Sequence, residues 1–323
     1  LMSNNIDVDF HNSVKFSLGT DFNLDAISSV SVKTAFLTFE DLFSHTDIFI
    51  GKVPTPFVLT DSNSSKYLPH MERSLVTAFQ HGPALGFGLT HAQDTWAFKF
   101  VVKGDKRAND GADGGKDGYS FIARGTWAPI LLKDKLVHIG LSASYELKDG
   151  ENTEFFASEI NKKSRFRNRA MASRTVDSSS GNFLFGADLA SFMGPFSAEA
   201  EFVGVLAQVS GEDGDNQFYW GLNGGLGWFV TGQSREYKVK DGRFGKVKRE
   251  KVGDWGVWEL AARYSHLDLN NTTDGTRADD STHQNITGTL NWYPTDHLKF
   301  SAEWVQNLKK ETGTIGMRVQ TLF

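Results

Sequence analysis

A chain of 323 residues without cysteine can fold as two soluble domains or one large barrel, with no disulfide framework and no thiolate metal site. Its formal net charge of −5 is too mild to argue for nucleic acid. No run of about 18 apolar residues occurs, which excludes a transmembrane helix, and Leu1-Met-Ser-Asn-Asn-Ile-Asp7 lacks the basic start and apolar core of a signal segment. There remain 26 Phe and 8 Trp in a chain of mean hydropathy −0.35. A membrane barrel has that combination, because only alternate residues meet lipid. With 32 Gly against 7 Pro, many strands and tight turns are expected.

In chain order, Ile6, Val8 and Phe10 alternate with Asp7 and Asp9, and Val14, Phe16 and Leu18 with Lys15, Ser17 and Gly19. A period of two predicts strands. Residues 30–39 and 46–53 also read as strands, but with apolar residues on both faces, so pattern alone does not phase them. From Pro54 to Pro83 the alternation fails, which predicts a long loop, and long ordered loops in compact folds are usually functional. Regular hairpins follow. Leu85, Phe87 and Leu89 lead through Ala92-Gln-Asp94 to Trp96, Phe98, Phe100 and Val102, with Lys99 and Lys103 opposite. Tyr119, Phe121, Ala123 and Trp127 lie opposite Arg124, and the stripe from Val137 to Leu147 lies opposite His138, Ser142, Ser144 and Glu146.

A second gap is expected over residues 148–181, holding Arg165-Phe-Arg-Asn-Arg169 and Arg174. Phe183, Phe185, Ala187 and Leu189 then run to a Met193-Gly-Pro195 turn, and Phe196, Ala198, Ala200 and Phe202 return with Glu199 and Glu201 opposite. Phe218, Trp220, Leu222, Leu226 and Trp228 form the next stripe. The basic segment 232–254 predicts a small hairpin on Asp241-Gly242, expected to be a solvated surface element rather than one that handles an anion. Trp258, Leu260, Ala262 and Tyr264 lie opposite Glu259 and Arg263. Ile286, Leu290 and Trp292 turn at Tyr293-Pro-Thr-Asp296 into Leu298, Phe300, Ala302 and Trp304. The last strand, Ile315 to Phe323, alternates to a terminal aromatic, which resembles the end of bacterial porins.

Tight turns at 92–94, 193–195 and 294–297 mark one rim, and polar loops mark the other. Trp and Tyr cluster near strand ends, as an interfacial girdle requires. Together these predict an all-β fold, a transmembrane antiparallel barrel. About fifteen strands are countable, and an even-stranded barrel then has sixteen, the first preceding residue 4. By the same parity the basic hairpin belongs to the short-turn side.

Charges facing lipid cost about 2–4 kcal/mol at the midplane for Arg or Lys, so Lys99, Arg124, Arg263, Lys299 and Arg318 are expected to face the lumen. Interior acids, among them Glu146, Glu199, Glu201, Glu259 and Glu303, make that lumen mixed, and a wall of paired charges is the plain alternative. Arg165, Arg167 and Arg169 differ. At spacing two on an extended segment they point one way with no acid between them, and a shared anion relieves their repulsion. A solvated basic loop is the competing reading, and Arg174 is a candidate extension. The nine histidines are scattered, with no spacing that suggests metal ligands or a nucleophile's base.

Four segments resemble the phosphate-selective porins of the O and P type: Gly51-Lys-Val-Pro-Thr-Pro-Phe57 with Ser64 to Leu75; Arg165 to Arg169 with Ser173-Arg-Thr-Val-Asp177; Trp258 to Leu269; and Leu290-Asn-Trp-Tyr-Pro294. The likeness runs in register over nearly the whole chain. It implies one barrel domain spanning residues 1–323, trimeric, in the outer membrane of a Gram-negative bacterium. It also implies that the loop near 54–83 folds inward as a constriction, with Lys66 and Arg73 at the waist. A salt bridge to Glu72 is the competing role for those two. The family's clustered waist lysines are not all recognisable here, and the net charge is acidic. The expected function is passive passage of small anions, phosphate or polyphosphate-type, past Lys66, Arg73, Lys99, Arg124, Arg165, Arg167, Arg169, Arg174, Arg263 and Arg318. No cofactor and no metal is implied, and the partners expected are inorganic anions and outer-membrane lipid, not nucleic acid. The alternatives are a general diffusion porin, a barrel with an adhesive or structural role, and a soluble multi-strand protein.

Overall fold

The computed structural model describes residues 2–11, 13–23, 29–104, 118–158, 171–209, 216–248, 255–270 and 281–322. In chain order the elements are β1 (Met2–His11), β2 (Val14–Asn23), β3 (Ser29–Phe43), β4 (Thr46–Val53), α1 (Leu59–Ser62), a 3-10 helix (Leu75–Phe79), β5 (Ala84–Ala92), β6 (Trp96–Gly104), β7 (Tyr119–Leu131) and β8 (Lys135–Ser158). They continue with β9 (Met171–Met193), β10 (Phe196–Val209), β11 (Gln217–Phe229), β12 (Ser234–Lys238), β13 (Arg243–Lys248), β14 (Val257–Asp268), β15 (Thr282–Thr295), β16 (Leu298–Asn307) and β17 (Thr312–Thr321). Fifteen strands form one antiparallel sheet in sequence order, with β12 and β13 set aside as a separate hairpin.

The sheet is inside-out by the standard of a soluble protein. Arg124, Asp188 and Glu259 are buried, at 2%, 2% and 0% exposure, whereas Leu141 and Leu226 are exposed at 63% and 67%. Phe98 and Phe121 also face outward. Apolar side chains outside and charges inside are stable only where the outside is hydrocarbon, and laddered strands satisfy their backbone groups there. Stacked outward rings mark both ends of the wall. Phe185 stacks on Phe218, Phe202 on Trp220 and Trp220 on His266 toward the long loops. Phe196 on Trp228, Trp258 on Trp292 and Trp292 on Phe300 lie toward the short turns.

Two sequence expectations need correction. Residues 148–158 and 171–181, expected within a loop, belong to β8 and β9, with Glu154 opposite Thr175 and Phe155 opposite Arg174. Here the pairing continues without apolar alternation, the signal a strand shows only where one face meets lipid. The unphased stretches 30–39 and 46–53 are strands whose inward face is apolar as well. Phe36 meets Phe49 edge-on at 6.2 Å, and Phe49 and Val53 join a buried cluster with Phe57, Leu75 and Phe79. Segment 54–83 therefore has an apolar seat inside the sheet, completed by Val101, Ile122, Leu184, Val205 and Tyr219.

Candidate functional site

Segment 54–83 runs through the interior and is bonded to strands on several sides. Its first part, around α1, sits on β7 to β11. Arg124 Nη1 donates to the Phe57 carbonyl at 2.7 Å, and Ser142 donates to the same oxygen. Thr60 donates to Glu201 through its backbone N–H at 2.5 Å and its hydroxyl at 2.6 Å. Asn223 Nδ2 bridges Glu201 and the Ser74 hydroxyl, both at 2.6 Å. His81, at the far end, reaches the Ser144 hydroxyl at 2.8 Å and Glu146 at 3.0 Å.

Its middle part is held by the last four strands. Lys299 Nζ donates to the Leu68 carbonyl and Asn291 Nδ2 to the Pro69 carbonyl, each at 2.7 Å. His70 Nδ1 lies 2.7 Å from the Thr289 hydroxyl, and the Met71 N–H donates to Glu303 at 2.8 Å. Arg263 Nη1 donates to the Glu72 carbonyl at 3.0 Å, while Arg318 bonds both the Met71 carbonyl and the Glu72 carboxylate. The wall cations thus grip the backbone of the segment. Bonds from charged donors are about twice as strong as neutral ones.

Arg263 and Arg318 converge on Glu72, the first on its carbonyl and the second on its carboxylate, and Lys66 is half-buried in the turn before it. Glu72 pairs with Arg318, while Arg73 Nη2 donates to the Asn63 carbonyl at 2.9 Å. The Glu72 carboxylate, the competing partner for Lys66 and Arg73, thus meets β17 across the interior. Lys99 and Arg124 form a second group, directly opposite each other on β6 and β7. Like charges in that position repel, and acids from elsewhere relieve them. Asp188 binds both Nη atoms of Arg124, at 2.6 and 3.0 Å, and accepts from His138 Nε2 at 2.7 Å. Asp241 lies 3.5 Å from Lys99. Arg174 lies in β9, and Arg165, Arg167 and Arg169 fall outside the described residues.

Asp188 was open to sequence reasoning, because it occupies the inward parity between Ala187 and Leu189. The other unforeseen group is the hairpin β12–β13, expected on the surface. It starts on the short-turn side, where the Phe229 N–H donates to the Pro195 carbonyl at 2.9 Å, and it lies inside the sheet. Arg235, 4% exposed, pairs with Glu259 at its base. Tyr237 OH lies 2.5 Å from His138 Nδ1, and Phe244 packs among Leu59, Ala128, Leu136 and Phe192. At its tip, Gly242 has φ +59 and lies against Thr126, while Lys240 reaches Asp47 at 2.5 Å. The hairpin thus ties β14 to β4.

Burial alone would raise the Asp241 carboxyl, but Lys99 and Arg243 outweigh it and hold it at about 2, below the usual 3.8. A depressed carboxylate stabilises fully above the unfolded value and loses that contribution as pH falls through the folded one. Amide exchange of residues 234–248, corrected for intrinsic rate, should therefore stay flat from neutral pH to about 4 and rise as pH approaches 2. In Asp241→Asn that rise should be absent.

The family described as Phosphate-selective porin O and P matches residues 5–316. Porin O of Pseudomonas aeruginosa is 26% identical over 297 residues, covering 82% of this chain and 65% of that protein, so the chain spans about two thirds of its relative's length or slightly less. Among solved structures, OprB of Pseudomonas putida at high pH superposes with a TM-score of 0.58 at 10% identity, covering 96% of this chain and 83% of that one. OmpT of Vibrio cholerae, an outer membrane protein, gives 0.51 at 9% identity over 98% and 83%. The trimer form of OmpT gives 0.51 at 10% identity over 98% and 85%. At such identities these structures speak to the fold, an outer-membrane β-barrel.

Proposed function

The chain belongs to the phosphate-selective porin O and P family and resides in the outer membrane of a Gram-negative bacterium, and from that premise we propose that it is a passive channel for small anions, phosphate and polyphosphate-type anions among them. The observation that carries this reading is segment 54–83, bonded from several strands inside a wall whose outer face is apolar. In this reading the segment is the constriction of a single barrel domain, and Lys66 and Arg73 meet the ion there. Lys99, Arg124, Arg263 and Arg318 set the field of the lumen, and Arg165, Arg167, Arg169 and Arg174 gather anions at its approach. Selection by charge and width needs no turnover and no cofactor. The family name supports phosphate, and the trimer form of OmpT supports assembly as a trimer.

A second reading, a weakly selective diffusion porin, is favoured by one observation: Arg124, Arg235, Arg318 and Lys99 each face a carboxylate. Paired charges leave little net field at a distance. The experiment that separates the two is single-channel current of the detergent-purified protein in a planar bilayer under a KCl gradient, followed by phosphate titration. Anion-selective current blocked by low phosphate supports the first reading, and weakly selective current without block supports the second. Arg165→Ala combined with Arg167→Ala should move the reversal potential toward zero, and an unchanged potential would remove the arginines from the path.

A further inference from the structure

Two elements far apart in sequence meet on either side of one short turn. The Phe244 N–H donates to Asn63 Oδ1 at 2.9 Å, and the Arg235 guanidinium donates to the Tyr67 carbonyl. Between these anchors lie Ser64, Ser65 and Lys66, and the Tyr67 N–H closes the turn on the Ser64 carbonyl at 2.9 Å. Both anchors are buried, with Asn63 at 3%, Arg235 at 4% and Phe244 at 6% exposure. Each is fixed in its turn. Glu259 holds Arg235 and also accepts from Asn291 at 3.0 Å and Tyr293 at 2.8 Å, and the Arg235 guanidinium lies 5.3 Å from the Phe229 ring centre. Phe244 is wedged among Leu59, Ala128, Leu136, Ala190 and Phe192.

A lysine on an unsupported turn samples many positions, because the backbone and the long side chain each carry large conformational entropy. Selection among small ions requires the opposite, a charge held to a fraction of an ångström by residues around it. We infer that the hairpin β12–β13 is the positioning element for Lys66, acting through Asn63 and the Tyr67 carbonyl, so that anion preference depends on Asn63 and Arg235 although neither meets the ion. The inference rests on the reading of segment 54–83 as the constriction.

The test uses four proteins, Lys66→Gln, Asn63→Leu, Asn63→Thr and the double variant Lys66→Gln/Asn63→Leu, compared with the parent by chloride-to-potassium permeability ratio in planar bilayers. Heat-modifiable migration on gels checks that each barrel is folded. Lys66→Gln should lower the ratio about tenfold, because one unit charge about 6 Å from the ion in water favours the anion about threefold and disfavours the cation by as much. Asn63→Leu should lower it comparably, Asn63→Thr, which keeps an oxygen acceptor, should recover most of it, and the double variant should match Lys66→Gln alone. If Lys66→Gln lowers the ratio and Asn63→Leu does not, the positioning role is wrong and the constriction reading stands. The positioning role is equally overturned if Asn63→Leu is as damaging in the Lys66→Gln background as in the parent. No change in Lys66→Gln itself removes the constriction reading and this inference with it. Should Asn63→Leu fail to fold, Arg235→Met with Glu259→Gln, which removes both charges of the buried pair, carries the same comparison.

Discussion

Arg124→Ala is expected to destabilise the folded protein by about 3–5 kcal/mol, the cost of leaving one partner of a buried ion pair behind. Asp188, the partner, is wholly enclosed and would be left with its bond to His138 at 2.7 Å. The same substitution strips a donor from the Phe57 carbonyl, where segment 54–83 begins its path through the interior. The loss should appear as a lower midpoint in urea unfolding from lipid vesicles. Replacing both partners, Arg124→Met with Asp188→Leu, should recover at least half of it, since an apolar pair of similar volume needs no compensation. An Arg124→Ala midpoint equal to that of the parent would show that water reaches Asp188, and with it that the interior of β7 to β9 is hydrated rather than packed.

Excising the hairpin is the second large effect. Replacing residues 234–248 by a short Gly-Ser link, with Glu259→Gln to avoid an unpaired acid, should roughly double single-channel conductance, because two strands about 4.8 Å apart and their side chains obstruct about 10 Å of the short-turn mouth. In the ladder order the strands it ties, β4 and β14, are eight steps apart, because β14 pairs directly with β11. It therefore crosses the mouth rather than lining it. Unchanged conductance after excision would mean that ions pass beside the hairpin and that segment 54–83 alone limits flow.

The wall of the fold was legible because lipid imposes a rule on alternate residues. Phe98, Leu141 and Leu226 obey it, and so their strands are readable from pattern. Where lipid is absent the rule lapses, and residues 148–158 and 171–181 pair as strands without announcing it. Where the inward face packs on segment 54–83, as at Phe36, Phe49 and Val53, both faces are apolar and pattern has nothing to phase. The interior cations were legible as a set but not in their assignments. Parity puts Arg318 and Arg263 inside, yet their partners, the carbonyls of Met71 and Glu72, are set by how a distant loop folds. The hairpin was legible as a hairpin from Asp241-Gly242 alone. Its position was not, because nothing in a run of lysines and arginines indicates that Arg235 will meet Glu259.

The bonds around segment 54–83 also constrain the order in which the molecule can be assembled. Thr60 waits for Glu201, 141 residues later, Leu68 for Lys299, 231 residues later, and Met71 for Arg318, 247 residues later. Contacts of such sequence separation come late and slowly in folding. Until the last four strands are in place, the middle part of the segment lacks the bonds that hold it to the wall, and the lumen of the nascent wall stays open and wet. Strand insertion and the filling of the interior are then separate events, the second completed only when β17 arrives with Arg318. A chain arrested before that strand would have most of its wall and a loose interior, a species distinguishable from the native one by proteolysis at Ser64–Lys66.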